Sequence, residues 1–346
     1  MGKTNIRQIA ERAGVSTAAV SYVLNGKAGV SPETRKRILQ VIREEKYTPN
    51  VNSRRLIYRR SYNLFLVTDS GSTLTNLFYS AVMGALAEEC DSRGYSLVLS
   101  GKKEDFCQTA AFQAIRQSNV DGLIFLFDPD EETKKILGEE QTPYVVMDSH
   151  KKNPGYPCVR ADYEEAAYTA VRYLITMKHT RIGLLGRAEI PDYYEAFLSG
   201  YRRALEEGGI PFCEELVYAE REGNQHAAEG VQRLLSGSWR PTAILCAGDL
   251  SALAAMTRTR QLGLSIPEDV SFVSVDDLPV SELYHPALTT VRIDAREMAQ
   301  RAVELLERQM EEGPGAYEAV ISSGNLICRD SVSPPGEGKA AWQCGV

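Results

Sequence analysis

The sequence predicts a small all-α helix-turn-helix head followed by an α/β core of two doubly wound parallel-sheet subdomains. Three observations lead there. Residues 1–60 break into short helical stretches punctuated by Gly14, Asn25-Gly26 and Ser31-Pro32. Beyond Arg60, short apolar runs alternate with amphipathic stretches of helical length. That alternation comes in two successive series, one for each sheet. With 346 residues, 43% of them hydrophobic, the chain is long enough for two or three units with cores of their own.

In the head, Asn5 is the expected N-cap of the first helix, with Gln8 three residues on as in a capping box, and Gly14 ends it. "AGVS" reads as a tight turn from which Ser16 caps a second short helix running to Leu24. Asn25-Gly26 closes that helix, and Ser31-Pro32 opens a third. Ile9, Ala10, Val15, Val20, Val23 and Leu24 are expected to form a small core, with Ile38, Leu39, Val41 and Ile42 on one side of the third helix. The pattern is that of a helix-turn-helix, although any small three-helix domain shows similar periodicity.

In the body, "YNLFLVT", "YSLVLS", "DGLIFLF" and "YVVMD" read as buried strands, with helices expected near 75–92, 107–118 and 131–138. A second series pairs "RIGLLG", "LVYA", "TAILCA" and "VSFVSV" with helices at 163–178, 193–208, 224–236 and 249–262. Strands separated by helices of this length imply parallel sheets covered on both faces, whose ligands bind beyond the carboxyl ends of the strands.

Charge divides the chain the same way. Residues 1–60 hold 13 Lys and Arg against 4 Asp and Glu, whereas the whole chain carries −7. A basic head on an acidic body points to a polyanion as partner of the head alone; a solvated basic face is the plainer alternative. Several classes fall away. No apolar run suits a membrane span, and the N-terminus lacks the apolar centre of a secretory signal, so a cytoplasmic protein without membrane partner is expected. Gly2 invites a myristoylation reading, but Ile6 stands where Ser or Thr is needed. The seven cysteines (90, 107, 158, 213, 246, 328 and 344) are scattered with no CxxC, and are read as reduced thiols. The four histidines show no i,i+4 pair and no HExxH, so neither metal nor cofactor is expected. "GLLGRAEIP", the nearest approach to a glycine loop, lacks GxGxxG and GKS/T, and no catalytic set stands out; an enzyme is not expected.

The run "NIRQIAERAGVSTAAVSYVLNGKAGVSPETRKRILQVIREEKYTPN" closely resembles the DNA-binding head of the LacI/GalR family of bacterial transcription regulators, and "VNSRRLIYRR" resembles that family's hinge helix. "GYSLVLS", "VDGLIFL", "PTAILCAGDLSALAAM", "IPEDVSFVSVDDLP" and "ICRDS" resemble its periplasmic-binding-protein-like core. The resemblance implies a head over 1–49, a hinge over 50–60, an N-terminal subdomain over 61–161 and 290–321 and a C-terminal subdomain over 162–289 and 322–333; the tail over 334–346 matches nothing in the family and is expected to be disordered.

It also implies roles. Ser16 and Ser21 match phosphate-binding positions, and Thr17 and Ala18 match positions that face base edges. Asn25 and Asn50 match further polar contacts, while the capping residues Asn5 and Ser31 join the DNA-facing set. Leu56 matches the leucine that wedges between base pairs in the minor groove, with Ser53, where Ala is frequent, and Arg54 beside it; a flexible basic linker is the plainer reading. Tyr22 stands where Arg is very common, and Tyr cannot make the bidentate contact of Arg to guanine.

In sugar-responsive members an Arg grips the ligand where this chain has Phe197, and an Asn becomes Gly248. Asp276 retains its match, and the strand-end residues Asp69, Ser70, Asp128 and Asp148 are further candidates. An effector with amine groups or aromatic faces would stack on Phe197 and donate to Asp276. Alternatively Phe197 packs internally and Asp276 caps a turn, or no small effector is used. The expected function is a sequence-specific regulator, a repressor by type, that binds double-stranded operator DNA as a homodimer under control of a small molecule. The alternative is a cytoplasmic solute-binding or sensor protein without specific operator binding.

Overall fold

Three helices build the head: α1 (Ile6–Ala13), α2 (Thr17–Leu24) and α3 (Pro32–Glu44). The computed structural model describes residues 5–24, 28–45, 60–69, 75–151, 154–220, 224–237, 239–313, 315, 317–321 and 324–336. The caps are those expected. Asn5 Oδ1 accepts from the backbone N–H of Arg7 and Gln8 at 3.0 and 3.1 Å, and Gln8 Oε1 accepts the Asn5 N–H at 2.9 Å. Gly14 takes φ 62° and turns the chain out of α1, a conformation that costs glycine little. Ser16 Oγ accepts the Ala19 N–H at the start of α2, and Ser31 Oγ accepts the Thr34 N–H at the start of α3.

Ile9, Ala10, Ala13, Val20, Val23 and Ile38 form the buried core of the head. Burying each branched side chain contributes about 1.5–3 kcal/mol, which matters in so small a unit. Val15 and Leu24 only edge this core, whereas Ala13, outside the expected set, is inside it. Leu39 is exposed: it lies about 100° around the helix from Ile38, which leaves the two on different faces.

The chain forms two units, Met1–Tyr62 with Ser118–Asp121, and Asn63–Gln117 with Gly122–Val346. The second unit contains two sheets, each of six strands among the described residues. The first has the order β11-β5-β4-β3-β1-β2, from β1 (Asn63–Thr68), β2 (Ser96–Gly101), β3 (Gly122–Phe125), β4 (Tyr144–Met147), β5 (Cys158–Ala161) and β11 (Glu318–Ile321), all parallel. The second has the order β12-β10-β9-β8-β6-β7, from β6 (Ile182–Arg187), β7 (Val217–Glu220), β8 (Ala243–Cys246), β9 (Ser271–Asp276), β10 (Thr289–Arg292) and β12 (Leu326–Ile327). Only β12, against β10, runs antiparallel.

Helices Tyr163–Thr176 and Pro191–Glu207 pack together on the second sheet, as do Asn224–Ser236 and Asp249–Gln261. On the first sheet, helices Leu77–Ser92 and Ala295–Glu312 lie side by side. Arg93 links them through Glu89 and Glu307, each at 2.5 Å. One boundary differs from expectation, and one strand is not anticipated. Thr289–Arg292 pairs with β9, so the second sheet keeps the chain about three residues beyond 289. The four-residue strand β5 had no recognisable apolar run of its own, because Arg160 interrupts it.

Candidate functional site

On the head, one side of α2 is committed to the core through Val20 and Val23, while Ser16, Thr17, Ala18 and Tyr22 are exposed. Thr17 and Ser21, and Ala18 and Tyr22, are four residues apart and therefore stack in rows on one helix face. Tyr22 is 45% exposed, and its ring lies over Gly29, where φ is +111° and a Cβ would stand 3.4 Å from the ring. Tyr22 thus lies beside Gly29 with nearly half of its surface open. Ser16, Asn5 and Ser31 serve as helix caps, so their side-chain oxygens already hold backbone N–H groups. Asn25, Asn50, Ser53, Arg54 and Leu56 lie outside the described residues, as does Ser70.

In the second unit, a cavity of about 130 Å³ lies where the carboxyl ends of strands from both sheets meet. Its polar wall is built from strand ends: Asp148 after β4, Arg187 closing β6, Gly248 after β8 and Asp276 closing β9. Three of these adopt backbone conformations uncommon away from glycine or turns, with φ of 57° at Asp148, 112° at Gly248 and 124° at Asp276. The aromatic wall comes from helices: Phe78 and Tyr79 from the first sheet's side, Tyr163 and Tyr193 from the second's, with His150 between.

Asp148 is the meeting point. Tyr79 Oη donates to its Oδ2 at 3.1 Å and Tyr163 Oη to its Oδ1 at 2.7 Å, with His150 Nε2 3.9 Å away. Burial first, then the negative charge of Asp148, hold the Tyr79 and Tyr163 hydroxyls well above their usual pKa, so both remain donors. Asp276 is raised well above the carboxylate range, first by burial and then by the charges of Asp249 and Asp148. Behind it, Asp249 is fully buried and accepts from Ser274 Oγ, Ser281 Oγ, Thr290 Oγ1 and the Leu278 N–H, a set that pins β9, β10 and the helix Pro279–Leu283 together. Arg187 gives its Nε to Glu189 Oε1 at 2.8 Å.

Of the expected effector residues, Asp148, Gly248 and Asp276 line this cavity. Phe197 does not: it is completely buried, with the rings of Tyr163 and Tyr193 at 6.0 and 4.7 Å packed against it. It supports the aromatic wall from behind, as the packing alternative supposed, and no ligand can stack on it. Asp128 is also outside the lining, held by Tyr156 Oη at 2.6 Å and Lys151 Nζ at 3.0 Å. Asp69 is exposed and lies outside the lining, and its charge adds to the upward shift of the Tyr79 hydroxyl. Sequence reasoning missed Arg187, Tyr79, Tyr163, Tyr193 and His150. The Arg in "RIGLLGR" was the one legible signal, a cation at the carboxyl end of an apolar strand.

Comparison with known proteins converges with this architecture. Residues 5–50 match the model of bacterial regulatory proteins of the lacI family, and residues 171–332 match that of the periplasmic binding protein-like domain. The chain is 30% identical to the HTH-type transcriptional repressor PurR of Vibrio vulnificus over 94% of its own length and 98% of the relative's. It is 30% identical to the HTH-type transcriptional regulator AscG of Escherichia coli, over 96% and 99%. Among solved structures, the lac repressor dimer bound to operator and an anti-inducer aligns with 26% identity, 96% and 100% coverage and a TM-score of 0.72. A transcriptional regulator CelR–cellobiose complex aligns with 27% identity, 95% and 100% coverage and a TM-score of 0.67.

A helix-turn-helix head joined to a two-sheet core with a cavity between the sheets defines a DNA-binding transcription regulator with an effector-binding core. The chain belongs to the LacI family of bacterial regulatory proteins.

Proposed function

We propose that this regulator binds a near-palindromic operator as a homodimer, each head reading one half-site in the major groove through α2. The observation that carries the reading is the exposed face of Thr17, Ala18 and Tyr22, with the half-buried Ser21 beside them, opposite the buried Val20 and Val23, in a head with a large basic excess. Thr17 suits a base edge, Ala18 a thymine methyl, and Tyr22 offers a hydroxyl and a ring in place of a guanidinium. Asn5, Ser16 and Ser31 would face phosphates from the helix starts, and Ser21 from within α2. Asn25 and the hinge residues Asn50, Ser53, Arg54 and Leu56 would complete the contact, Leu56 as an apolar wedge in the minor groove.

In this reading a small effector occupies the cavity bounded by Asp148, Gly248 and Asp276, and its binding changes the relative angle of the two sheets. A coupling free energy of about 1–3 kcal/mol between cavity and operator would be ordinary. The protein acts by binding, without catalysis, and works where the chromosome lies, in the cytoplasm. A gel shift against genomic fragments at several salt concentrations tests this. Specific, strongly salt-dependent binding that is lost on deletion of residues 1–60 is expected; weak binding without sequence preference would refute it. Leu56→Ala should weaken specific binding more than non-specific binding.

A further inference from the structure

The charge of the cavity narrows what it can hold. Its described lining includes three carboxylates, Asp148, Glu189 and Asp276, but Arg187 is the one arginine or lysine among them, and Glu189 already holds its Nε. Neither Asp148 nor Asp276 has a lysine or arginine within ion-pair distance among the described residues; Asp148 takes hydroxyls from Tyr79 and Tyr163, and His150 Nε2 lies 3.9 Å from it. A fourth carboxylate, Asp249, is buried just behind Asp276. Carboxylates gathered away from water without a counter-cation are costly, and a ligand cation placed among them recovers that cost. The remaining wall is aromatic, with the rings of Tyr163 and Tyr193 4.6 Å apart and edge to face, and aromatic faces also attract cations. A cavity of about 130 Å³ has room for a compact skeleton, since one of about 150 Å³ holds benzene.

We propose, building on the effector reading above, that the cavity binds a compact organic ammonium, its nitrogen held by Asp148 and Asp276 and its apolar carbons against Tyr163 and Tyr193.

Titration calorimetry on the full chain tests this with cyclohexylamine and cyclohexanol, which share a skeleton and differ in charge, and with D-glucose as a neutral polyol. Cyclohexylamine should bind at least tenfold more tightly than either neutral probe, and Asp276→Asn should remove at least tenfold of that affinity. Arg187→Gln removes the cavity's own cation and leaves both aspartates in place: it should strengthen amine binding, since a repelling charge is gone. Weaker amine binding in that variant, or a neutral probe that binds as well as the amine, would overturn the ammonium class. If a neutral probe binds and shifts operator affinity, the effector reading stands while this inference fails. If no probe binds, the inference fails, and an operator affinity unmoved by all three removes the support for the effector reading as well.

Discussion

The Tyr163 hydroxyl donates a 2.7 Å hydrogen bond to Asp148 Oδ1, joining the first helix on the second sheet to the residue that follows β4 in the first. The other oxygen of the same carboxylate holds Tyr79, from the helix Leu77–Ser92 of the first sheet's side. One buried side chain therefore takes a hydroxyl from each half of the core, and does so in the wall of the cavity. The cavity wall and the relative placement of the sheets share this residue.

Tyr163→Phe removes the bond across the halves and leaves the ring packing against Tyr193 and Phe197 intact. A loss of about 1–2 kcal/mol is expected, near the upper end for a hydrogen bond because the acceptor is a carboxylate. Urea denaturation of the full chain measures it; an unchanged midpoint would show that the bond contributes nothing in solution.

Gly200 lies in the middle of the helix Pro191–Glu207, where glycine costs helix stability, and its reason is tertiary. A Cβ there would overlap the Glu164 carbonyl oxygen and stand 2.9 Å from the Tyr168 backbone nitrogen of the adjoining helix. Gly200→Ala should therefore destabilise by roughly 1–3 kcal/mol despite its better helix propensity, as overpacking does. A thermal unfolding curve that moved upward would contradict the close helix crossing.

His179 is buried, its Nε2 donating to the Ser333 carbonyl and its Nδ1 accepting from the Thr242 hydroxyl, each at 2.9 Å. Burial lowers its pKa to about 4, with the Ser333 carbonyl offsetting part of the shift. Below the ordinary value of about 6.5 the unfolded chain takes up the proton before the folded one does. The stabilisation is thus complete above that pH and is lost as pH falls toward 4, by roughly 3 kcal/mol in all. Urea midpoints at pH 7, 6 and 5 should fall more steeply for the wild type than for His179→Gln; parallel lines would exclude the histidine as the cause.

Asp249 holds four donors in a fully buried position. Asp249→Ala strands three hydroxyls and a backbone N–H, at a cost of about 1–3 kcal/mol for each group that finds no new partner. Loss of a cooperative transition for the core, followed by circular dichroism, is the expected result, and a near-native melt would refute the role of Asp249 as the tie among β9, β10 and helix Pro279–Leu283.

Tyr22→Arg should shift the selected half-site toward guanine at the base that residue 22 faces, because a guanidinium reads guanine through two acceptors and a phenol cannot. Selection from a random pool reads the change directly, and an unaltered motif would count against this docking of α2.

Much of this was legible along the chain. Asn5 with Gln8, Gly14, Ser16 and Ser31-Pro32 are local signals, each acting on backbone groups within three residues, and each cap forms as expected. The apolar runs of β1, β3, β6, β8 and β9 were equally plain, because central strands buried on both faces need continuous hydrophobic sequence. β5, broken by Arg160, and β12, only two residues long, carried too little pattern to stand out.

Sequence by itself determined the order of elements, the chemistry of the exposed face of α2 and the strand-end positions from which a ligand site could be built. Tertiary structure alone decided which of those strand ends converge. Phe197 and Asp128 look as available as Asp276 along the chain, yet Tyr163 and Tyr193 cover the first, Tyr156 and Lys151 hold the second, and only Asp276 reaches the cavity. Caps and periodicity follow from interactions within one turn or one strand, whereas a cavity wall is the sum of side chains brought together by packing from six distant segments of the chain.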